Sequence, residues 1–140
     1  MRVIKVIFIA VLSCVMFAGC KADTGTEEKV TMEKATYQQV SMEEAMDLMK
    51  TEENYIILDV RTQEEYDEKR IPGAILVPNE TIGTSEIPEL PDKDQMILVY
   101  CRSGNRSKQA SEKLAALGYT NIIEFGGIND WPGEVETSVK

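Results

Sequence analysis

The 140-residue chain contains no histidine. That absence removes whole mechanisms: no Ser-His-Asp triad, no Cys-His pair and no histidine metal site can be built. Cysteine is scarce as well. The three present, Cys14, Cys20 and Cys101, show no metal-ligand spacing. Basic residues are outnumbered, 15 Lys and Arg against 24 Asp and Glu, so the formal net charge is −9. Such a balance argues against nucleic-acid partners and repels anionic substrates at long range, so any anion site must be built locally. In other respects the composition is that of an ordinary globular protein, and the length suits one domain.

Long apolar runs are missing except at the N-terminus. Arg2 and Lys5 form a short basic region, and residues 6–18 are almost wholly apolar, too few to span a bilayer comfortably. The run ends Phe17-Ala18-Gly19-Cys20, which resembles the lipobox of bacterial lipoproteins. The resemblance implies a signal peptide over 1–19, cleavage before Cys20, and a diacylglycerol on the Cys20 sulfur. An ordinary signal peptide cut nearby and an uncleaved anchor are the other readings. Under the lipoprotein reading Cys14 leaves and Cys20 is consumed, so Cys101 is the one free thiol and no internal disulfide can form. Loss of Arg2 and Lys5 with no acid takes the net charge from −9 to −11. The expected location is outside the cytoplasm, with membrane contact through the lipid anchor only.

Residues 20–36 are polar and lack apolar periodicity, and they read as a tether to a domain over 37–140. Ser41-Met42-Glu43-Glu44 is a capping box, and Met42, Ala45, Met46 and Met49 follow at helical spacing, a stripe that reads as a core-facing helix. Tyr55-Ile56-Ile57-Leu58-Asp59-Val60 reads as a buried strand. Residues 63–69 read as a short helix whose Glu64, Glu65, Asp67 and Glu68 form a solvated face. A turn at Ile71-Pro72-Gly73-Ala74 leads to the brief run Ile75-Leu76-Val77. Residues 79–95 contain Pro88 and Pro91 and little pattern, so they read as a surface connection. Met96-Ile97-Leu98-Val99-Tyr100 is the clearest strand. A helix over 105–117, ended by Gly118, has an inner face of Ser107, Ala110, Ser111, Leu114 and Leu117. Asn121-Ile122-Ile123-Glu124-Phe125 is another strand, and Trp131 reads as core. Short apolar strands alternating with helices predict an α/β fold with a mainly parallel central sheet of about five strands, flanked by helices on both faces.

Such sheets place their sites beyond the C-terminal strand ends. There the chain has Cys101-Arg102-Ser103-Gly104-Asn105-Arg106-Ser107. A strand that delivers a cysteine into a tight loop at a helix start is a device for holding a thiolate. Unpaired N–H groups and the positive helix end favour negative charge there and pull a cysteine pKa down. Arg102 and Arg106 are candidates to bind an oxyanion through their planar forks, and Gly104 lets the backbone curl around one sulfur.

Four segments together resemble the single-domain rhodaneses, or thiosulfate sulfurtransferases, over roughly 37–133. They are Leu58-Asp59-Val60-Arg61 with Glu64-Glu65-Tyr66; Arg70-Ile71-Pro72-Gly73-Ala74; the Cys101 loop; and Gly126-Gly127 with Trp131. One departure is Arg70, where the family commonly has histidine; it suggests altered charge at the rim of the site. The resemblance implies a rhodanese-like fold and a transferase that needs no cofactor or metal. Cys101 would take sulfane sulfur from thiosulfate or a persulfide and become a persulfide. Cyanide, a small thiol or a thioredoxin-like protein would then accept it. Arg102, Ser103, Gly104, Asn105, Arg106 and Ser107 would form the loop that holds the persulfide. Asp59 and Arg61 are supporting candidates, with mutual pairing or turn capping as the plainer role. No general base is required if Cys101 is already ionised.

Two other readings use the same loop. Cysteine-dependent phosphatases and arsenate reductases place five residues between cysteine and arginine. Here four separate Cys101 from Arg106, which makes a cradle tight for phosphate and suited to a sulfur atom. A non-enzymatic binding or persulfide-carrier module at the membrane surface would keep the same residues.

Overall fold

The computed structural model describes residues 36–83 and 85–138. The expected signal peptide, Cys14, Cys20 and all of the expected tether but its last residue lie outside the described residues. In chain order the elements are β1 (Gln38–Gln39), α1 (Met42–Thr51), β2 (Tyr55–Asp59), α2 (Gln63–Glu68), β3 (Ile75–Leu76), β4 (Met96–Cys101), α3 (Asn105–Ala116) and β5 (Ile122–Gly127). Single 3-10 turns follow β3 at Asn79–Thr81 and β5 at Ile128–Asp130. The five strands form one sheet in the order β1-β5-β4-β2-β3, and every neighbouring pair is parallel. This is the α/β architecture with a parallel five-stranded sheet expected from the sequence. Outside the sheet, Arg70 and Glu136 make one isolated antiparallel bridge.

Both faces of the sheet are covered, which is why β2 and β4 are apolar without alternation. On one face Leu58, Ile97, Val99, Cys101 and Ile122 pack against Ala110, Leu114 and Ala115 of α3. On the other, Ile57, Leu98, Tyr100, Ile123 and Phe125 pack with Ala45 of α1 and with Ile71 and Ile128. Met42, Leu48 and Met49 of α1 close the edge of that second cluster, together with Tyr66 of α2 and Trp131. Met46 is half-buried outside it, so Leu48 takes a place the stripe had assigned elsewhere.

The capping box at α1 is present: Ser41 Oγ accepts from the Glu44 N–H at 3.2 Å, and Glu44 accepts from the Ser41 N–H at 2.8 Å. A second box, Thr62 with Glu65, starts α2. Residues 79–95 differ from the expectation of a surface connection. Ile82, Ile87 and Leu90 are buried on the α3 face, the Tyr119 hydroxyl donates to the Leu90 carbonyl at 2.7 Å, and Lys113 Nζ donates to the Asn79 carbonyl at 2.8 Å. Spacings of five and three follow neither helix nor strand period, so no periodic template finds them.

Candidate active site

Cys101 is the last residue of β4 and is 1% exposed. Its neighbour β5 is bulged at this point. Val99 pairs with Glu124 and Cys101 with Gly127, so β5 uses one residue more than β4 over the same step, and Gly126 takes φ 102°. The bulge brings Gly127 directly beneath the Cys101 loop. A Cβ on Gly127 would collide with the Arg102 carbonyl oxygen and stand 2.5 Å from the Ser103 nitrogen. The Gly126-Gly127 pair is thus the floor of the loop: one glycine for the turn, one for the close approach.

Around the sulfur, the Gly104 N–H donates to Sγ at 3.0 Å, and Ser107 Oγ lies 3.5 Å away. Gly104 holds φ 97°, the left-handed conformation that aims its N–H inward, and it is the N-cap of α3 with no side-chain cap. The sulfur therefore stands where a capping oxygen usually stands. Burial alone pushes the Cys101 thiol pKa up. Hydrogen bonds from the Ser107 side chain and from the backbone of Ser107, Ser103 and Gly104 outweigh it, and the net shift is below the usual 9.0.

The two loop arginines are placed differently. Arg106 Nη1 and Nη2 donate to the two carboxylate oxygens of Glu65 at 2.8 Å each. That pair, with the Thr62 cap, holds the Glu65 carboxyl down to about 2. Glu65 was expected on a solvated face; it is half-buried instead, and it fixes α2 against α3. Arg102 is exposed and has no carboxylate partner among the described residues. It lines an open pocket of about 140 Å³ with Arg61, Lys69, Glu68 and Asn129. Of the two arginines expected to bind an oxyanion, the one available to solvent is Arg102. Ser103 and Asn105 are also exposed.

Asp59 and Arg61 lie behind the pocket as a buried bidentate pair, with Arg61 Nη2 2.6 Å and Nε 2.9 Å from the carboxylate. The Tyr100 hydroxyl donates to the same carboxylate at 2.6 Å, and Arg61 Nη2 donates to the Lys69 carbonyl at 2.6 Å. Arg70 is turned away from the pocket. It bonds Glu136 at 2.9 Å and Ser138 Oγ at 2.8 Å, and it stacks on Tyr66 with 4.6 Å to the ring centroid. Its charge is spent tying down the C-terminal segment, not on the rim. Trp131 packs on Phe125, with centroids 5.7 Å apart. Among the described residues no group of His, Cys, Asp and Glu is placed to hold a metal ion.

One residue of this neighbourhood escaped the sequence reading. Glu124 is 3% exposed, and its Oε1 accepts from Ser107 Oγ at 2.6 Å and from the Gly126 N–H at 2.9 Å. Gln39 Nε2 donates to Oε2 at 3.1 Å. The available signal was strand alternation, which puts Glu124 on the same face as Ile122, the face toward α3.

Comparison with known proteins agrees with this geometry. Residues 41–134 match the family model described as "Rhodanese-like domain". The chain is 37% identical over 73 residues to "Thiosulfate sulfurtransferase PspE" of Escherichia coli, covering 52% of this chain and 70% of that protein. It is 32% identical over 103 residues to "Thiosulfate sulfurtransferase GlpE" of Coxiella burnetii, covering 73% and 94%. Among solved structures, "rhodanese with anions from E. coli" superposes with a TM-score of 0.55 at 32% identity, covering 59% of this chain and 98% of that one.

Proposed function

The chain belongs to the rhodanese-like domain family, and from that premise we propose that it is a sulfurtransferase that carries sulfane sulfur on Cys101. The observation that carries the reading is the Cys101 sulfur held at 3.0 Å by the Gly104 N–H, in a loop whose backbone N–H groups face inward. Two relatives named thiosulfate sulfurtransferases support it.

In the first half-reaction the Cys101 thiolate attacks the outer sulfur of thiosulfate. A new S–S bond forms, the S–SO₃ bond breaks, and sulfite leaves with its electron pair. The persulfide anion that results takes the loop N–H groups as its donors. In the second half-reaction cyanide or a thiolate attacks the outer sulfur. The Cys101 S–S bond breaks, and the thiolate returns. Neither step consumes an oxidant. Arg102 and Lys69 at the pocket are the cations available to a sulfonate in an otherwise acidic protein, with Arg102 supplying the planar fork. The test is peptide mass at Cys101 in the full chain after thiosulfate. One added sulfur atom, released as thiocyanate by cyanide and absent in Cys101→Ser, is expected. Hydrolysis of an aryl phosphate with no sulfur gain would overturn the reading.

For the N-terminus we propose lipidation of Cys20 after cleavage at residue 19, which tethers the domain to the outer face of a bacterial membrane. Support comes from Phe17-Ala18-Gly19-Cys20 behind its apolar run. Lipid mass on Cys20, lost in Cys20→Ser together with membrane partitioning, is the expected result; an unlipidated soluble chain is the contrary one.

A further inference from the structure

The pocket beside the Cys101 loop carries charge of both signs. Arg61, Lys69 and Arg102 line it together with Glu65, Glu68 and Asn129. Glu65 is spent on Arg106. Arg61 is 2% exposed; its Nε and Nη2 bond Asp59 and the Lys69 carbonyl, and among the described residues Nη1 has no partner. Among those residues Ser111 Oγ alone is both buried and unpaired, so Arg61 Nη1 reaches the open space of the pocket. Glu68 is exposed, and among the described residues no cation pairs with it, neither Lys69 beside it in sequence nor Arg102 in the same pocket. Opposite charges thus border one space of about 140 Å³ without neutralising each other. Such a space is complementary to a ligand that brings an anion and a cation of its own. Thiosulfate is wholly anionic and has no use for Glu68.

We infer that the sulfur acceptor of this pocket is an amino-acid thiol, a small thiol with both an ammonium and a carboxylate, and that Glu68 selects it. The acceptor role rests on the reading of Cys101 as the sulfur carrier. Arg102 follows Cys101 in sequence, and the Asn129 N–H donates to the Arg102 carbonyl at 3.2 Å, so the pocket wall is part of the Cys101 loop. The acceptor's carboxylate takes the place the sulfonate has left, at the Arg102 fork, Lys69 and Arg61 Nη1. Its ammonium goes to Glu68. The acceptor reacts as its thiolate, the thiol proton having gone to water. A new S–S bond forms between its sulfur and the outer sulfur of the Cys101 persulfide. The Cys101 S–S bond breaks, and its electron pair stays on Cys101 as the thiolate. The product is the amino-acid persulfide, and no oxidant or reductant is consumed.

The fold itself gives Glu68 no other employment. It is the last residue of α2, and an acid in the last turn of a helix opposes the helix dipole. No basic residue stands in that turn to offset it. The other acids of α2 are placed differently. Glu65 is the strut to Arg106, Asp67 accepts from Gln63 Nε2 at 2.9 Å and from Ser138 Oγ at 3.3 Å, and Glu64 is exposed and does not line the pocket. Glu68 is therefore the carboxylate of this helix that faces the pocket and remains available to a ligand.

The full chain is loaded with sulfur from thiosulfate, and loss of that sulfur from Cys101 is timed by peptide mass at low thiol concentration. The acceptors are cysteine and 3-mercaptopropionate, which is cysteine without its ammonium. Glu68→Gln keeps the shape and removes the charge. It should slow cysteine about threefold or more, the size of a partly exposed ion pair, and should not slow 3-mercaptopropionate. Glu64→Gln removes an equal charge from the same helix outside the pocket and should slow neither. If Glu68 is only a neighbouring anion, Glu68→Gln leaves the cysteine rate unchanged or raises it, and that outcome overturns the inference. A second measurement involves no sulfur transfer. L-Serine, the oxygen analogue of cysteine, should shift the NMR amide signals of Lys69, Arg102 and Asn129 in the wild-type chain, and at the same concentration should not shift them in Glu68→Gln. No shift in the wild type, or an equal shift in both chains, would also overturn the inference. Failure to gain sulfur from thiosulfate is seen before any acceptor is added, so it counts against the carrier reading, and the serine titration still decides whether the pocket selects a zwitterion.

Discussion

Arg106 and Glu65 meet through two parallel hydrogen bonds of 2.8 Å, so the arginine of the Cys101 loop is a strut between α3 and α2. The contact gives Glu65 a folded-state pKa of about 2 in place of the ordinary 4.5. A depressed carboxylate pKa contributes stability above its unfolded value and loses it as pH falls through the folded one. Glu65→Gln should therefore lower stability near neutral pH by about 1 kcal/mol, allowing for partial solvent screening. The difference in melting temperature from wild type should shrink between about pH 4.5 and pH 2, the two values that bound the shift. A difference that stays constant across that window would mean the pair contributes nothing as an ion pair.

The same contact separates the two arginines in their effects on chemistry. Arg102 faces the pocket, so Arg102→Ala should reduce thiosulfate turnover about tenfold or more while Cys101 alkylation by an uncharged reagent is nearly unchanged. Arg102→Lys should rescue only part, because the bidentate fork is lost. Arg106→Ala should slow both reactions and lower the melting temperature, because the loop loses its strut. Steady-state rates with thiosulfate, set beside alkylation rates for each variant, decide it. Equal losses in both reactions for Arg102→Ala would remove that residue from the anion site.

Most of the sheet and the placement of Cys101 at a strand end before a helix were legible because they rest on local pattern. Met96-Ile97-Leu98-Val99-Tyr100 is an apolar run with a turn signal after it, and Ser41 with Glu44 is a complete cap within four residues. What stayed hidden depends on partners distant in sequence. Glu65 reads as one acid among several on α2 until Arg106, 41 residues on, is brought against it. Ile82, Ile87 and Leu90 carry no period, and only the packing of α3 shows that they are core. Glu124 looks like an interruption of a short strand. The bulge that pairs Cys101 with Gly127 is what sets it beside Ser107. Arg70 needs the Glu136 bridge before its charge can be placed.

Gly127 supplies the last prediction, because its role is steric and separable from any charge. Its backbone is extended, with φ −135°, so conformation alone would accept any residue. The obstacle is space: an added Cβ would stand 2.5 Å from the Ser103 nitrogen and push into the Arg102 carbonyl. Both obstacles are backbone atoms, so relief requires the whole Cys101 loop to lift. Gly127→Ala should then loosen the N–H groups around Sγ, raise the Cys101 pKa and cost about 1–3 kcal/mol, the range for overpacking a fitted site. Gly73→Ala, in the turn before β3, is the control. Nothing lies within 4 Å of its added Cβ, so it carries only the strain of φ 79° and should leave the thiol untouched. The measurement is the pH profile of Cys101 alkylation for both variants. A normal profile in Gly127→Ala would mean that the loop is not held down by β5, and that the thiolate owes its stability to Ser107 and α3 alone.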